Sequence, residues 1–468
     1  MTETAKHRAG DTFVEGDPYV LDPAKIKDPP KGWRASMRLL GPGMITSAAI
    51  VGSGELITAT TLGAQVGFML LWLVFVSTFV KVAVQIELAR WTISTGKPAL
   101  FGYDLVPPRI FKRGWISYLS VLMVLQFVTS QAGVIATSGL ALSILMPVLG
   151  PPASTASIGF WVALLVVAAV AIHIANRYSI VERVSTVLVV LVTAAAVVLV
   201  FGIQATPFAW DGADVGSGLT FQLALGAVGV AISMFGLTGV GAGEVTSYSF
   251  WCVEKGYAAW TGPNDGSEAW ATRARGWISV MKMDAWVAWV VYTISTAAFY
   301  VLGAAVLHPQ GLVPEGSEVL TTISRIFSDT LGPWAGVAFL VFAAITLYKT
   351  ILANVPSLSR LTVAAFAIFG AFDWSDATRR ARWLRIMMVV MPVLWGLLGV
   401  VVNAPLALIL IGGTLNAFYL IAVAIATVYL SFTQTDRRIK DGKVTTVYLV
   451  VSAIAIIAVG VFGLINLF

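Results

Sequence analysis

Two stretches of this chain repeat one phrase, Val51-Gly52-Ser53-Gly54-Glu55 and Val240-Gly241-Ala242-Gly243-Glu244, each inside an apolar run long enough to cross a bilayer. Hydrocarbon offers the backbone no hydrogen bonds, so a spanning segment must be helical or part of a closed barrel. Runs beyond about 18 apolar residues select the helix. Glycine opposes it, lowering helix stability by roughly 1 kcal/mol relative to alanine, so unwinding is expected around 51–55 and 240–245. A carboxylate at that depth costs about 2.5–3.5 kcal/mol on insertion scales unless it finds a partner or water. Matching interruptions in two halves of a membrane protein point to a midplane substrate site built from broken helices.

Only 12% of residues are charged and 58% are hydrophobic, with mean hydropathy +0.85. These values exclude a soluble globular domain and indicate an all-α polytopic membrane protein. The apolar runs give about eleven transmembrane helices. A polar tail at 1–36, partly disordered and lying along the membrane surface, leads into a transmembrane domain at 37–468. Within it, one repeat covers about 38–204, a second about 220–431, and an extra helix about 445–467. Runs 3 and 6, near 115–146 and 220–254, exceed the length needed to cross and are expected to be tilted, extended or interrupted. Span 7 is expected near 281–307 and span 8 near 333–358, with Asn354 and Pro356 marking an irregular end.

Basic residues alternate by loop. They occur at 93–114 (Lys97, Arg109, Lys112, Arg113), in the Arg177–Arg183 joint, at 255–280, at 359–385 and at 434–443. The 147–156 loop has none, and 308–332 has a lone Arg325. The positive-inside rule then places the N-terminus in the cytoplasm and the C-terminus outside, in a cell membrane. Topology thereby accounts for the net charge of +6 without invoking nucleic acid. The single cysteine, Cys252, excludes an internal disulfide or a multi-cysteine metal site, and three histidines make a histidine-built one unpromising. The N-terminus lacks the apolar core of a cleavable signal. The two glycine-glutamate phrases fall in spans 1 and 6, which cross in opposite directions, as in a LeuT-type five-plus-five inverted repeat.

Gly41-Pro42-Gly43, then Leu62-Gly63-Ala64-Gln65-Val66-Gly67-Phe68 and Leu70-Leu71-Trp72, resemble span 1 into span 2 of the Nramp metal-ion transporters. Arg177-Tyr178 with Val181-Glu182-Arg183, and Met283-Asp284, are also similar. The resemblance implies that the family's Asp-Pro-Gly-Asn break falls on Gly52-Ser53-Gly54-Glu55. Gly52 then replaces the metal-binding aspartate, and Glu55 stands where the asparagine would be. The family's Met-Pro-His of span 6 falls around Ala242-Gly243-Glu244, and its acidic pair of span 3 on Ser130 and Gly133. The chain thus resembles a divergent member with a remodelled site.

Candidate substrate residues are Gly52, Ser53, Gly54, Glu55, Thr238, Ala242, Gly243, Glu244 and Lys349, with Glu55 and Glu244 as metal ligands. Two readings of the glutamates stand side by side. Carboxylates joined by freed carbonyls suit hard divalent ions such as Mg²⁺, Mn²⁺ or Ca²⁺; alternatively each glutamate braces the start of a half-helix. Lys349, inside span 8, either faces the site as a tethered cation or snorkels to the surface. Gln126, Thr129, Ser130 and Gln131 form a polar cluster in span 3, Gly412-Gly413-Thr414 and Asn416 suggest a bend in span 10 beside the site, and His173 reads as a satisfied core histidine. Glu87 is expected to pair with Arg90. The leading function is a secondary transporter or facilitator for divalent metal ions, with the bilayer as partner and no cofactor. The alternative is a carrier of a small organic solute such as an amino acid. No nucleophile with a plausible base and no paired-histidine pattern supports an enzyme.

Overall fold

A computed structural model describes residues 16–175 and 178–467, apart from the side chains of Ser53, Ser317 and residues 178–186. Residues 1–15 of the tail and Arg177 of the basic joint lie outside the described residues. Ten described segments are long and apolar enough to cross a membrane. One of them, Gly54–Thr95, joins the second half of span 1 to span 2, and the short helix Pro42–Ile50 completes span 1. The eleven-span layout follows.

Span 1 consists of the helix Pro42–Ile50, a break at Val51 and Gly52, a π-helical turn Ser53–Ala59 and the helix Thr60–Val66. Pro42 sits at the helix start, where its missing N–H costs nothing. Span 6 is the helix Val228–Leu237, a break through Thr238–Gly241, and the helix Ala242–Lys255. Gly239, at φ +64°, turns the chain into the left-handed region that ends the first half. Both breaks are narrower than the sequence suggests. Glu55 and Glu244 lie in the first turns of the second halves, because Gly52 and Gly241 serve as their N-caps.

The remaining spans are unbroken: Leu71–Thr95, Ser120–Leu145, Thr155–Ile174, Tyr178–Gly202, Glu268–Leu302, Pro333–Ile368, Ala377–Val402, Pro405–Thr433 and Lys443–Leu467. Span 7 starts at Glu268 rather than near 281, because Ser267 caps it by accepting from the Trp270 N–H at 3.0 Å. Span 8 does not end near Pro356 but continues to Ile368. Proline leaves the carbonyl four residues earlier without its helical partner. That carbonyl, of Leu352, lies 3.1 Å from Nε2 of His173. The 308–332 loop contains an amphipathic helix, Val319–Leu331, that buries Val319, Leu320, Ile323 and Ile326.

Glycines set the closest crossings. A Cβ at Gly236 of span 6 would lie 1.9 Å from the Gly413 carbonyl oxygen of span 10, and one at Gly63 would lie 2.2 Å from that of Tyr300. Small residues at such crossings let membrane helices approach backbone to backbone. Gly412 and Gly413 therefore produce contact, not the bend expected of them. Ser130 and Gly133 pack on the same span 10, against Gly412 and Ile409. The described part of the tail packs on the bundle. The Lys27 backbone carbonyl accepts from the Trp277 indole at 2.9 Å, Asp17 pairs with Arg380 at 2.7 Å, and Tyr19 donates to Glu254 at 2.5 Å.

Gly236→Ala is expected to destabilise the protein by about 1–3 kcal/mol through overpacking. Gly202→Ala, where an added Cβ meets nothing within 4 Å, is expected to leave the thermal midpoint in detergent unchanged or slightly raised.

Candidate substrate site at the broken helices

A helix end leaves four backbone groups unpaired and concentrates partial charge, positive at the N-terminus and negative at the C-terminus. A break inside a span doubles that problem, and this chain answers it largely with side chains from neighbouring spans. At the start of Pro42–Ile50, the N–H groups of Gly41 and Gly43 donate to Asp284 of span 7 at 2.9 and 2.5 Å. Tyr248 adds its hydroxyl to the same carboxylate at 2.9 Å. At the other end, Lys349 of span 8 donates to the Val51 carbonyl at 2.6 Å. It therefore faces the bundle, and does not snorkel.

Beyond the break, Glu55 folds back on its own half-helix. One carboxylate oxygen accepts from the Gly52 N–H and the other from the Thr296 hydroxyl, each at 3.3 Å. The group is fully buried. Gly52 and Gly54 permit close approach: a Cβ on Gly52 would lie 2.2 Å from Thr350 Oγ1, and one on Gly54 would lie 2.8 Å from the Leu237 carbonyl. The second contact brings the two broken helices together. Of Ser53, the backbone lies in the π-helical turn.

At the span 6 break, Lys81 of span 2 donates to the carbonyls of Phe235 and Thr238, the latter at 2.7 Å. Thr238 turns its hydroxyl to the Met234 carbonyl at 2.8 Å. Asn416 of span 10 spans the gap: its Oδ1 accepts from the Ala242 N–H at 2.9 Å, and its Nδ2 donates to the Gly236 carbonyl at 3.1 Å. Glu244, 8% exposed, receives a long 3.5 Å contact from the same Nδ2. Gly243 packs against Phe127 and Gln126 of span 3. Gln126 is buried, and both ends of its amide lack a partner within the protein, as does the Tyr292 hydroxyl. Buried polar atoms left free in this way mark a place where water or substrate completes the bonding.

The structure thus brings Gly52, Gly54, Glu55, Thr238, Ala242, Gly243, Glu244 and Lys349 to the two adjoining breaks. Among the described residues no three of histidine, cysteine, aspartate and glutamate converge into a metal-holding cluster. Through space, Lys81 interacts with Glu244 and Glu55, and Lys349 with Glu55. Sequence reasoning missed Lys81 and Asp284 as site-builders, and placed Asn416 beside the site only as part of a bend in span 10. For the two charged residues the available signal was the charge itself, set deep in or at the mouth of an apolar span, which by default marks a functional position.

A family model described as natural resistance-associated macrophage protein-like matches residues 43–468. The chain belongs to the Nramp family. Metal transporter Nramp6.1 of Populus trichocarpa is 36% identical over 87 residues, 18% of this chain and 16% of that relative's own length. An uncharacterized protein of Pasteurella multocida is 22% identical over 72% of each chain. The divalent metal cation transporter MntH of Granulibacter bethesdensis is 28% identical over 34% of this chain and 35% of its own. Among solved structures, the Eremococcus coleocola manganese transporter aligns with a TM-score of 0.70 at 13% identity, covering 95% of this chain and 90% of that one. MhsT in complex with L-phenylalanine aligns at 0.56 and 16%, covering 91% and 98%. The fold is therefore LeuT-type, and this Nramp protein is a multi-pass membrane transporter, not an enzyme.

In this Nramp protein the amide of Asn416 works as acceptor and donor at once. Asn416→Ala is expected to cost about 1–3 kcal/mol by stranding buried backbone groups. Asn416→Asp is expected to cost more, because it sets a carboxylate against the Gly236 carbonyl and Glu244. Thermal unfolding of the purified variants reads the order.

Proposed function

We propose that the chain is a secondary transporter or facilitator that moves a divalent metal ion through the midplane between broken spans 1 and 6, with its N-terminus in the cytoplasm. The observation that supports this reading is Glu244, a buried carboxylate in the first turn of a half-helix whose contact to the Asn416 amide is a long 3.5 Å, next in the chain to Gly243, against which the unpartnered amide of Gln126 packs. Relatives named as metal transporters lend the reading its substrate class.

The geometry divides the two glutamates. Glu55 has both oxygens engaged and Lys349 nearby, so it braces span 1 and offers an arriving ion little. Glu244 and the Gln126 carbonyl oxygen are hard donors that suit Mg²⁺ or Mn²⁺ better than softer metals. With two free carboxylates the site would match a divalent charge outright. With Lys349 seated on Val51 the ion is drawn instead toward span 6. Ser130 and Gly133, packed into the span 10 seam, have no titratable group with which to accompany it by proton relay. Mn²⁺ uptake into proteoliposomes tests the reading. Glu244→Gln is expected to reduce uptake about tenfold or more, the loss of at least about 1.4 kcal/mol of binding. Glu55→Gln is expected to lower the thermal midpoint more than it lowers uptake. Millimolar Mg²⁺ is expected to compete with Mn²⁺, and strong block by Cd²⁺ with none by Mg²⁺ would refute hard-ion selectivity.

One observation favours a second reading. Lys349 sets a fixed ammonium group beside the span 1 break, where it suits a zwitterionic or anionic organic solute. If no divalent ion enters liposomes and an amino acid from a titration panel raises the thermal midpoint, this reading replaces the first.

A further inference from the structure

Lys81 contributes nothing to the interfacial charge pattern that orients the chain, and it is fully buried in the middle of span 2. No carboxylate lies in ion-pair contact with it among the described residues. Its ammonium is instead held by neutral oxygens: the carbonyls of Phe235 and Thr238 at the end of a half-helix. Two hydroxyls stand beside them. Ser77 Oγ lies 3.4 Å from the Phe235 carbonyl and 3.2 Å from Thr238 Oγ1. The Phe235 ring, with its centroid 4.7 Å from Nζ, closes the set. Carbonyls and hydroxyls gathered at the negative end of a helix form the kind of environment that holds a free alkali cation. Here the positive charge is delivered on a side chain, with Glu244 in electrostatic reach.

We propose that Lys81 is a built-in monovalent cation: its ammonium permanently fills an oxygen-lined cation site between span 2 and the first half of span 6, so the protein needs no free sodium or potassium ion there. Lys349 on the Val51 carbonyl is its counterpart at the span 1 break. This inference goes beyond the substrate reading and holds whichever substrate is carried. Removing the ammonium leaves the Phe235 and Thr238 carbonyls and the Ser77 and Thr238 hydroxyls unneutralised, and a small cation from solution then takes its place.

The test is the thermal unfolding midpoint of the purified full-length chain in sodium, potassium, ammonium or choline chloride at equal ionic strength. The native protein is expected to melt at one temperature in all four salts. Lys81→Ala is expected to melt lower in choline and to regain most of the loss, saturably, in sodium, potassium or ammonium. Lys81→Gln, which keeps a donor and loses the charge, carries the same expectation where the alanine variant does not fold. Lys282→Ala, which removes an ammonium paired with Asp441 at the bundle's edge, is expected to show no preference among the salts. A folded Lys81 variant that melts alike in all four salts would overturn the inference, as would a native protein stabilised specifically by sodium or potassium. Because melting requires no substrate, a failure of Mn²⁺ uptake would remove the metal reading and leave this result standing.

Discussion

The structure depends on the need to satisfy backbone groups where two membrane helices stop and restart in hydrocarbon. Three of the four ends at the breaks have a partner from another span: Lys349 at the end of Pro42–Ile50, Lys81 at the end of Val228–Leu237 and Asn416 at the start of Ala242–Lys255; Glu55 caps its own half-helix, and Asp284 caps the start of span 1. The signs follow the helix dipole, with a carboxylate at an N-terminus and ammonium groups at the C-termini. Without these partners, each exposed group would cost several kcal/mol in lipid, and the interrupted spans would be driven back to continuous helices or out of the membrane.

That arrangement decides what remains for a substrate. Glu55 lies 3.3 Å from both the Gly52 N–H and the Thr296 hydroxyl, which also donates to the Tyr292 carbonyl at 2.7 Å. Glu244 is held loosely, because Asn416 gives its stronger bonds to backbone and only a 3.5 Å contact to the carboxylate. The repeat that makes the two glutamates look equivalent in sequence therefore conceals unequal surroundings: Glu55 contacts Gly52 and Thr296, and Glu244 contacts Asn416 at 3.5 Å.

Much of the fold was legible because it rests on local rules. Apolar run length counted the spans, and paired glycines located the breaks to within a few residues. Two kinds of feature were not. Helix limits shifted where a cap or a remote partner decided them, as with Ser267 at the start of span 7 and His173 beside the carbonyl that Pro356 leaves free in span 8. Gly412 and Gly413 read as a bend because flexibility is the local property of glycine, whereas their use here is contact with Ser130 and Ser233. In the site, the repeated phrase drew attention to Glu55 and Glu244. Lys81 and Asn416 became partners of the span 6 break, and Asp284 of the start of span 1, only once spans 2, 10 and 7 were packed against them. No spacing along the chain encodes those distances.

The same logic extends to the face that carries the basic loops. Glu254, at the end of span 6, accepts from Tyr19 and twice from Arg360, at 2.6 and 2.8 Å. Arg380 lies over the Tyr19 ring while it pairs with Asp17. Burial, then the neighbouring Glu254 charge, pushes the Tyr19 phenol well above its ordinary range, so it stays a donor at any physiological pH. This clasp ties the tail to the ends of spans 6 and 8. Exposed ion pairs contribute about 0–1 kcal/mol each, and partly buried ones somewhat more. Their sum, on the order of 1–3 kcal/mol, is enough to hold the described part of the tail against the bundle.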